Sequence, residues 1–186
     1  LNTLDLFPIF LVNSRGADYR RVPMKSSQPI GAKSLVQHLA QVIAKNHAYD
    51  ALDLPFTPAE WAVFGDYLQP FALARDQVLI EQGATDRTVY FIESGTLSVH
   101  CVDEEGRMNL AMIGAGSVVG EWAFFSRMAR KSDAVAAGPC KLWRLSLIRF
   151  MDLANRQPAL ALRIALALGT VMAKRVANKP KRVAAT

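Results

Sequence analysis

Cysteine is nearly absent from this 186-residue chain: only Cys101 and Cys140 occur. Their spacing matches neither a CxxC pair nor any metal-ligand pattern, which excludes a disulfide framework and a cysteine-based zinc site and points to reduced, structural thiols. Histidine is as sparse. His38, His47 and His100 fall on separate segments with no HxH or HxxxH grouping, so a metal-dependent barrel enzyme would lack its ligands. No GxSxG elbow, no Ser/His/Asp constellation and no Walker loop is present, which removes the usual nucleophile and the triphosphate cradle. The chain is therefore expected not to be an enzyme. Long apolar runs are missing too. Leu6 to Val12 contains Pro8, has no basic region before it, and is too short to span a bilayer or to act as a secretory signal. No membrane segment and a cytoplasmic location are expected.

What the chain does have is 51% hydrophobic and 20% charged residues, enough apolar material for one sizeable core. Nine prolines and eleven glycines imply many turns, so several short strands are favoured over an all-helical bundle, with helices at the ends. The net charge of +6 suits an anionic ligand, nucleic acid or an acidic membrane surface, and is equally ordinary surface charge.

Residues 1–30 hold Pro8, Gly16, Pro23 and Pro29 without a sustained period, the pattern of an irregular N-terminal arm. Its apolar Leu6, Phe7, Ile9 and Phe10 would dock on the domain or on a second copy. Residues 31–69 read as N-terminal helices. Leu35, Leu39, Val42 and Ile43 recur at helical spacing between Ala32 and His47. Thr57-Pro58-Ala59-Glu60 is a capping box with proline at the first helical position, opening a helix that carries Trp61, Phe64 and Leu68 inward and that Pro70 stops. From 70 to 146 the pattern changes to short β-prone runs at Val78–Ile80, Thr88–Ile92, Thr96–Val102, Asn109–Ile113, Ala134–Ala136 and Lys141–Leu145. Glu104-Glu105-Gly106 supplies a hairpin turn between two of them.

Residues 147–177 read as two C-terminal helices, Leu147 to Leu153 and Pro158 to Val176. Leu160, Leu162, Ile164, Leu166, Leu168, Val171, Met172 and Val176 cover nearly the whole circumference of the second. Burial from two directions is expected for such a helix, against its own barrel and against the same helix of a homodimer partner. Residues 178–186, with Lys179, Lys181 and Arg182, form a solvated basic tail. About ten residues after Val176 are too few for a three-helix DNA reader, so no DNA-binding module is expected in this chain; the effector protein is unknown.

The informative stretch runs from Gly116 to Ala136. A glycine turn leads into a strongly apolar segment bracketed by Glu121 and Arg130. A short helix opening at Gly120-Glu121 would present unpaired backbone N–H groups, a ready anion site. A carboxylate there suits a ribose hydroxyl beside the phosphate, and the planar fork of Arg130 matches two phosphate oxygens.

Val119-Gly120-Glu121-Trp122-Ala123-Phe124-Phe125, followed by Arg130 at the appropriate distance, resembles the phosphate-binding cassette of the cyclic-nucleotide-binding domain family, shared by the bacterial catabolite activator protein and protein kinase A regulatory subunits. Upstream, Val78 to Gly83 and Val89 to Val99, and downstream, Cys140-Lys141-Leu142-Trp143-Arg144-Leu145, resemble that family's strands in the same register. The resemblance covers roughly residues 60 to 177. It implies a mainly β fold with flanking helices: an eight-stranded double-stranded β-helix (jelly-roll) barrel with N-terminal helices and a long C-terminal helix. It also implies a sensor in which the cyclic phosphate meets Arg130, Glu121 holds the ribose 2′-hydroxyl, and Gly120, Trp122, Ala123, Lys131 and Ser132 complete the pocket. Ligand closure would move the long helix, bringing Thr170 toward the base. Trp122 stands where the family has a smaller aliphatic and is expected to pack into the barrel rather than crowd the pocket. Lys131 occupies a position where threonine accompanies cGMP preference, so cAMP is the expected ligand and cGMP the less favoured one. Asp133 brings a negative charge near the phosphate unless it points outward and pairs with Lys131. The alternatives are a degenerate barrel used for dimerisation or protein interaction, its Glu121 and Arg130 joined in a salt bridge, or the truncated sensor half of a transcription regulator.

Overall fold

The computed structural model describes residues 32–102 and 108–178. The N-terminal arm, the Glu104-Glu105-Gly106 turn and the basic tail lie outside the described residues. Helix α1 (Ala32–Ala44) places Val36, Leu39 and Ile43 on one buried stripe at spacings of three and four. Helix α2 (Pro58–Gly65) opens on the anticipated capping box: the Thr57 hydroxyl accepts from the Glu60 N–H, and the Glu60 carboxylate accepts from the Thr57 N–H at 2.7 Å. That backbone bond holds the Glu60 carboxyl below its ordinary value. Trp61 and Phe64 point into the core.

The helix does not run to Pro70. It ends at Gly65, and Pro70 lies exposed in strand β1 (Gln69–Leu73). This is an outer strand of its sheet, where a missing N–H is tolerated. Leu68 is buried from the intervening turn.

The chain continues through β2 (Val78–Ile80), β3 (Thr88–Ser94), β4 (Thr96–Val102), β5 (Met108–Gly114), β6 (Val118–Val119), α3 (Glu121–Ser126), β7 (Asp133–Ala136), β8 (Cys140–Ser146), α4 (Leu147–Arg156) and α5 (Pro158–Ala177). The strands form two four-stranded antiparallel sheets, ordered β1-β8-β3-β6 and β2-β7-β4-β5. This is the jelly-roll expected. The hairpin partners β4 and β5 pair out to Val102 opposite Met108, next to the anticipated turn.

Period-two alternation on the inner strands of the first sheet divides the core. Val89 and Phe91 of β3 and Trp143 and Leu145 of β8 face the helices, packing with Phe64, Phe124, Leu153 and Ile164. Ile92 and the β8 residues Cys140 and Leu142 face the barrel interior with Ile80, Leu97 and Ala136. Both faces of β3 and β8 thus carry buried side chains, which is why β3 reads as the apolar run Val89 to Ile92; in β8 the exposed Lys141 and Arg144 interrupt the pattern. Cys140 is a free, buried thiol.

Helix α5 buries Leu160, Ala161, Ile164, Leu168 and Val171. Its other side is open: Leu162, Leu166 and Val176 are 59%, 62% and 53% exposed. The described part of the chain therefore covers α5 from one direction only. Among the described residues no helix is long and apolar enough to cross a membrane.

Candidate functional site

Strand β6 ends at Val119 and is followed by Gly120, whose φ of +88° turns the chain into α3. A Cβ at this position would stand 2.6 Å from Arg130 Nη1 and 2.8 Å from the Thr88 carbonyl oxygen. Glycine is therefore required both by the left-handed backbone and by the close approach of a side chain and a strand.

Arg130 is 3% exposed. Its guanidinium holds Asp86 through two bonds, Nε to Oδ2 at 3.1 Å and Nη2 to Oδ1 at 2.5 Å, and donates to the carbonyls of Thr88 at 2.6 Å and Gly120 at 3.0 Å. A guanidinium carries five N–H donors; these four bonds leave one, on Nη1. Partial burial works against the Asp86 charge, but the hydrogen bonds and charge of Arg130, with help from Thr88, hold its carboxyl below the ordinary value. The Arg130 backbone is tied to the β2–β3 loop through Ala84 O and Gly83 N–H.

Glu121, the first residue of α3, is buried and accepts from Arg175 Nη1 at 2.9 Å. Arg175 in turn donates from Nε to Asp50 at 2.6 Å. Burial opposes the Arg175 charge, and the two carboxylates outweigh it, raising its pKa. The Glu121–Arg130 salt bridge of the degenerate-barrel alternative does not form, because each residue is engaged by a different partner.

These side chains surround a cavity of about 550 Å³, within the range of small-molecule sites. Gly120, Glu121, Trp122, Ala123, Arg130, Lys131 and Ser132 all line it. The opposite walls come from Val99 of β4 and from Ala111 to Ala115 on and after β5, and Arg175 reaches in from α5.

One expectation is corrected: Trp122 does not join the barrel core; it stands in the cavity wall with Lys131 Nζ 4.1 Å from its ring centroid. Thr170, expected to approach the base on ligand closure, is exposed outside the cavity lining, and its hydroxyl donates to Leu166 O one turn back. Asp133 accepts from the Gln82 N–H at 2.7 Å.

Arg175, Asp86 and Asp50 escaped the sequence reading. Arg175 did leave a signal: it continues the buried row Ile164, Leu168, Val171 at helical spacing, and a charge on an apolar stripe needs a buried partner. Asp86 and Asp50 lie in loops and left none. Among the described residues no group of His, Cys, Asp and Glu is placed to hold a metal ion.

Residues 70–157, the segment that carries the jelly-roll strands and the cassette, match the family described as the cyclic nucleotide-binding domain. Among curated relatives, the cAMP-activated global transcriptional regulator CRP of Salmonella typhimurium is 31% identical over 107 residues, which is 56% of this chain and 49% of that protein. The chain thus spans about half the length of the curated relative it matches. Among solved structures, a cyclic nucleotide-binding domain from Methylobacillus flagellatus superposes with a TM-score of 0.69 at 22% identity, covering 79% of this chain and 81% of that one. The c-di-GMP responsive global regulator CLP of Xanthomonas campestris gives 0.56 at 22% identity, covering 65% and 60%. At these identities the solved structures speak for the fold.

Proposed function

We propose that the cavity binds a cyclic nucleotide, cAMP first, and that this domain works as a ligand sensor rather than a catalyst. The observation that carries the reading is the convergence of all seven cassette residues, Gly120 to Ala123 and Arg130 to Ser132, on one cavity. In this reading the cyclic phosphate takes the remaining Nη1 donor of Arg130 and the backbone N–H groups at the start of α3. A ribose hydroxyl donates to Glu121, whose Oε2 makes no bond to a described residue while Oε1 holds Arg175. The relative from Salmonella typhimurium is by name cAMP-activated and the Xanthomonas campestris regulator c-di-GMP responsive, so the ligand is settled by binding.

Occupancy would reach α5 through Arg175, which joins that helix to Glu121 and Asp50. Any change in how Glu121 is shared between Arg175 and a ribose alters the attachment of the C-terminal end of α5. The exposed Leu162, Leu166 and Val176 would pack on a second copy, making a homodimer through α5. Partner, dimer and output belong to this proposal.

The second reading is a barrel retained for architecture. Its support is the near-saturation of Arg130 by Asp86, Thr88 and Gly120. Calorimetric titration of the purified chain with cAMP, cGMP and c-di-GMP separates the two. Saturable binding, tightest for cAMP, is expected. No heat from any of them, with the protein folded, favours the architectural barrel.

A further inference from the structure

Among the described residues a single buried side-chain polar atom has no hydrogen-bond partner: Nε1 of Trp122. By contrast, the indole of Trp143 donates to Glu93 at 2.6 Å. An indole N–H can only donate, and burying it unmatched gives up its bond to water with nothing in return. A tryptophan held in this state is short of an acceptor, and its position says where one would come from. Trp122 stands in the cavity wall between Glu121 and Ala123. The neighbouring cations have few donors to spare. Arg130 commits four of its five N–H groups to Asp86, Thr88 and Gly120, and Arg175 is divided between Glu121 and Asp50.

We infer that the Trp122 indole N–H is a ligand-recognition group of this pocket, donating to the phosphate of the bound nucleotide. The inference rests on the pocket binding a cyclic nucleotide. The two unesterified oxygens of a cyclic phosphate accept more bonds than the last Nη1 donor of Arg130 supplies. An N–H given to an anionic oxygen makes a charge-assisted bond, stronger than a neutral one. Nε1 is covered in this structure, so the ring turns to bring it to the lumen. A half-turn about the Cβ–Cγ bond does so, through a torsion that is broad and roughly two-fold. It keeps the ring plane, so the Lys131 ammonium, 4.1 Å from the ring centroid, still faces the indole and need not move. The indole breaks no hydrogen bond in turning and gains one. Phenylalanine in this place would line the wall and donate nothing.

The chain has three tryptophans, Trp61, Trp122 and Trp143, so a proton–nitrogen correlation spectrum of the isotope-labelled protein shows three indole N–H signals. The one lost in Trp122→Phe belongs to Trp122. Addition of cAMP is expected to move that signal downfield, as a new hydrogen bond does, and cGMP, with the same cyclic phosphate, to move it the same way when it binds. Trp122→Phe, its fold checked by the Trp61 and Trp143 signals, is expected to bind cAMP about 10- to 100-fold more weakly in calorimetric titration, as for loss of a hydrogen bond to a charged group. A native chain that binds cAMP with the Trp122 signal unmoved overturns the inference and leaves the cyclic-nucleotide reading standing. So does a folded Trp122→Phe with native affinity. A shift with cAMP and none with bound cGMP puts the contact on the base and overturns the assignment to phosphate. Absence of any cyclic-nucleotide binding overturns both readings.

Discussion

Gly120 and Gly83 share a backbone conformation, φ +88° in each, and differ in their surroundings. A Cβ on Gly83 would meet nothing within 4 Å, whereas one on Gly120 would stand 2.6 Å from Arg130 Nη1 and 2.8 Å from the Thr88 carbonyl. Alanine at either position carries the left-handed cost of about 1–2 kcal/mol, offset by about 0.4–1 kcal/mol from a less flexible unfolded chain. Gly83→Ala should therefore cost roughly 1 kcal/mol. In Gly120→Ala the Thr88 carbonyl is fixed in β3, so the Arg130 fork must shift, weakening bonds to charged groups worth about 1.5–3 kcal/mol. The sum is roughly 2.5–4 kcal/mol. At about 2–4 °C per kcal/mol for a chain of this size, thermal unfolding followed by circular dichroism should show a loss of about 2–4 °C for Gly83→Ala and about 5–16 °C for Gly120→Ala. Equal losses would refute the claim that Arg130 is packed on the glycine.

Asp86 sets a pH dependence. Its carboxyl is depressed in the folded state, so its contribution is full above the unfolded value of 3.8 and is lost as pH falls through the lower folded value. Native protein should be more stable than Asp86→Asn at pH 7, by a small margin because the side chain is half exposed, and the margin should shrink as the pH falls below 3.8; a margin that does not shrink on acidification contradicts the pairing. Arg175→Met leaves Glu121 and Asp50 without their shared cation and should lower stability by roughly 1–3 kcal/mol in chemical denaturation; an unchanged midpoint would count against the bridge. Leu162→Glu and Leu166→Glu change exposed positions, so the fold should persist while a dimer seen by sedimentation dissociates. A native chain that is monomeric at all concentrations removes the α5 interface.

The elements with the strongest local signals were readable in advance. The Thr57 capping box and the bounds of β2 and β4 follow from side-chain chemistry and period-two alternation, and the cassette residues converge because their spacing is fixed by a six-residue helix between two strands. Two short strands were hidden. In β1 proline reads locally as a helix stop, and only pairing with β8 turns it into an edge position. Strand β6 is two residues long, and its apolar pair reads as a lead-in to the cassette. Trp122 was misplaced because the direction a side chain takes from a short helix depends on neighbours distant in sequence. The partners of Arg130 and Glu121 were illegible for the same reason: Asp86 and Asp50 lie in loops, and only the completed fold brings them to the site.

The claim that the cassette cavity is a cyclic-nucleotide site rests most directly on Arg130. Calorimetric titration of cAMP into the native chain and Arg130→Ala, with Gly83→Ala as a folded control of reduced stability, tests it. The account predicts saturable binding to the native and control proteins, and an affinity lower by at least about 30-fold in Arg130→Ala, as expected for loss of a contact worth about 2–5 kcal/mol. Equal affinity in Arg130→Ala and the native chain would contradict it.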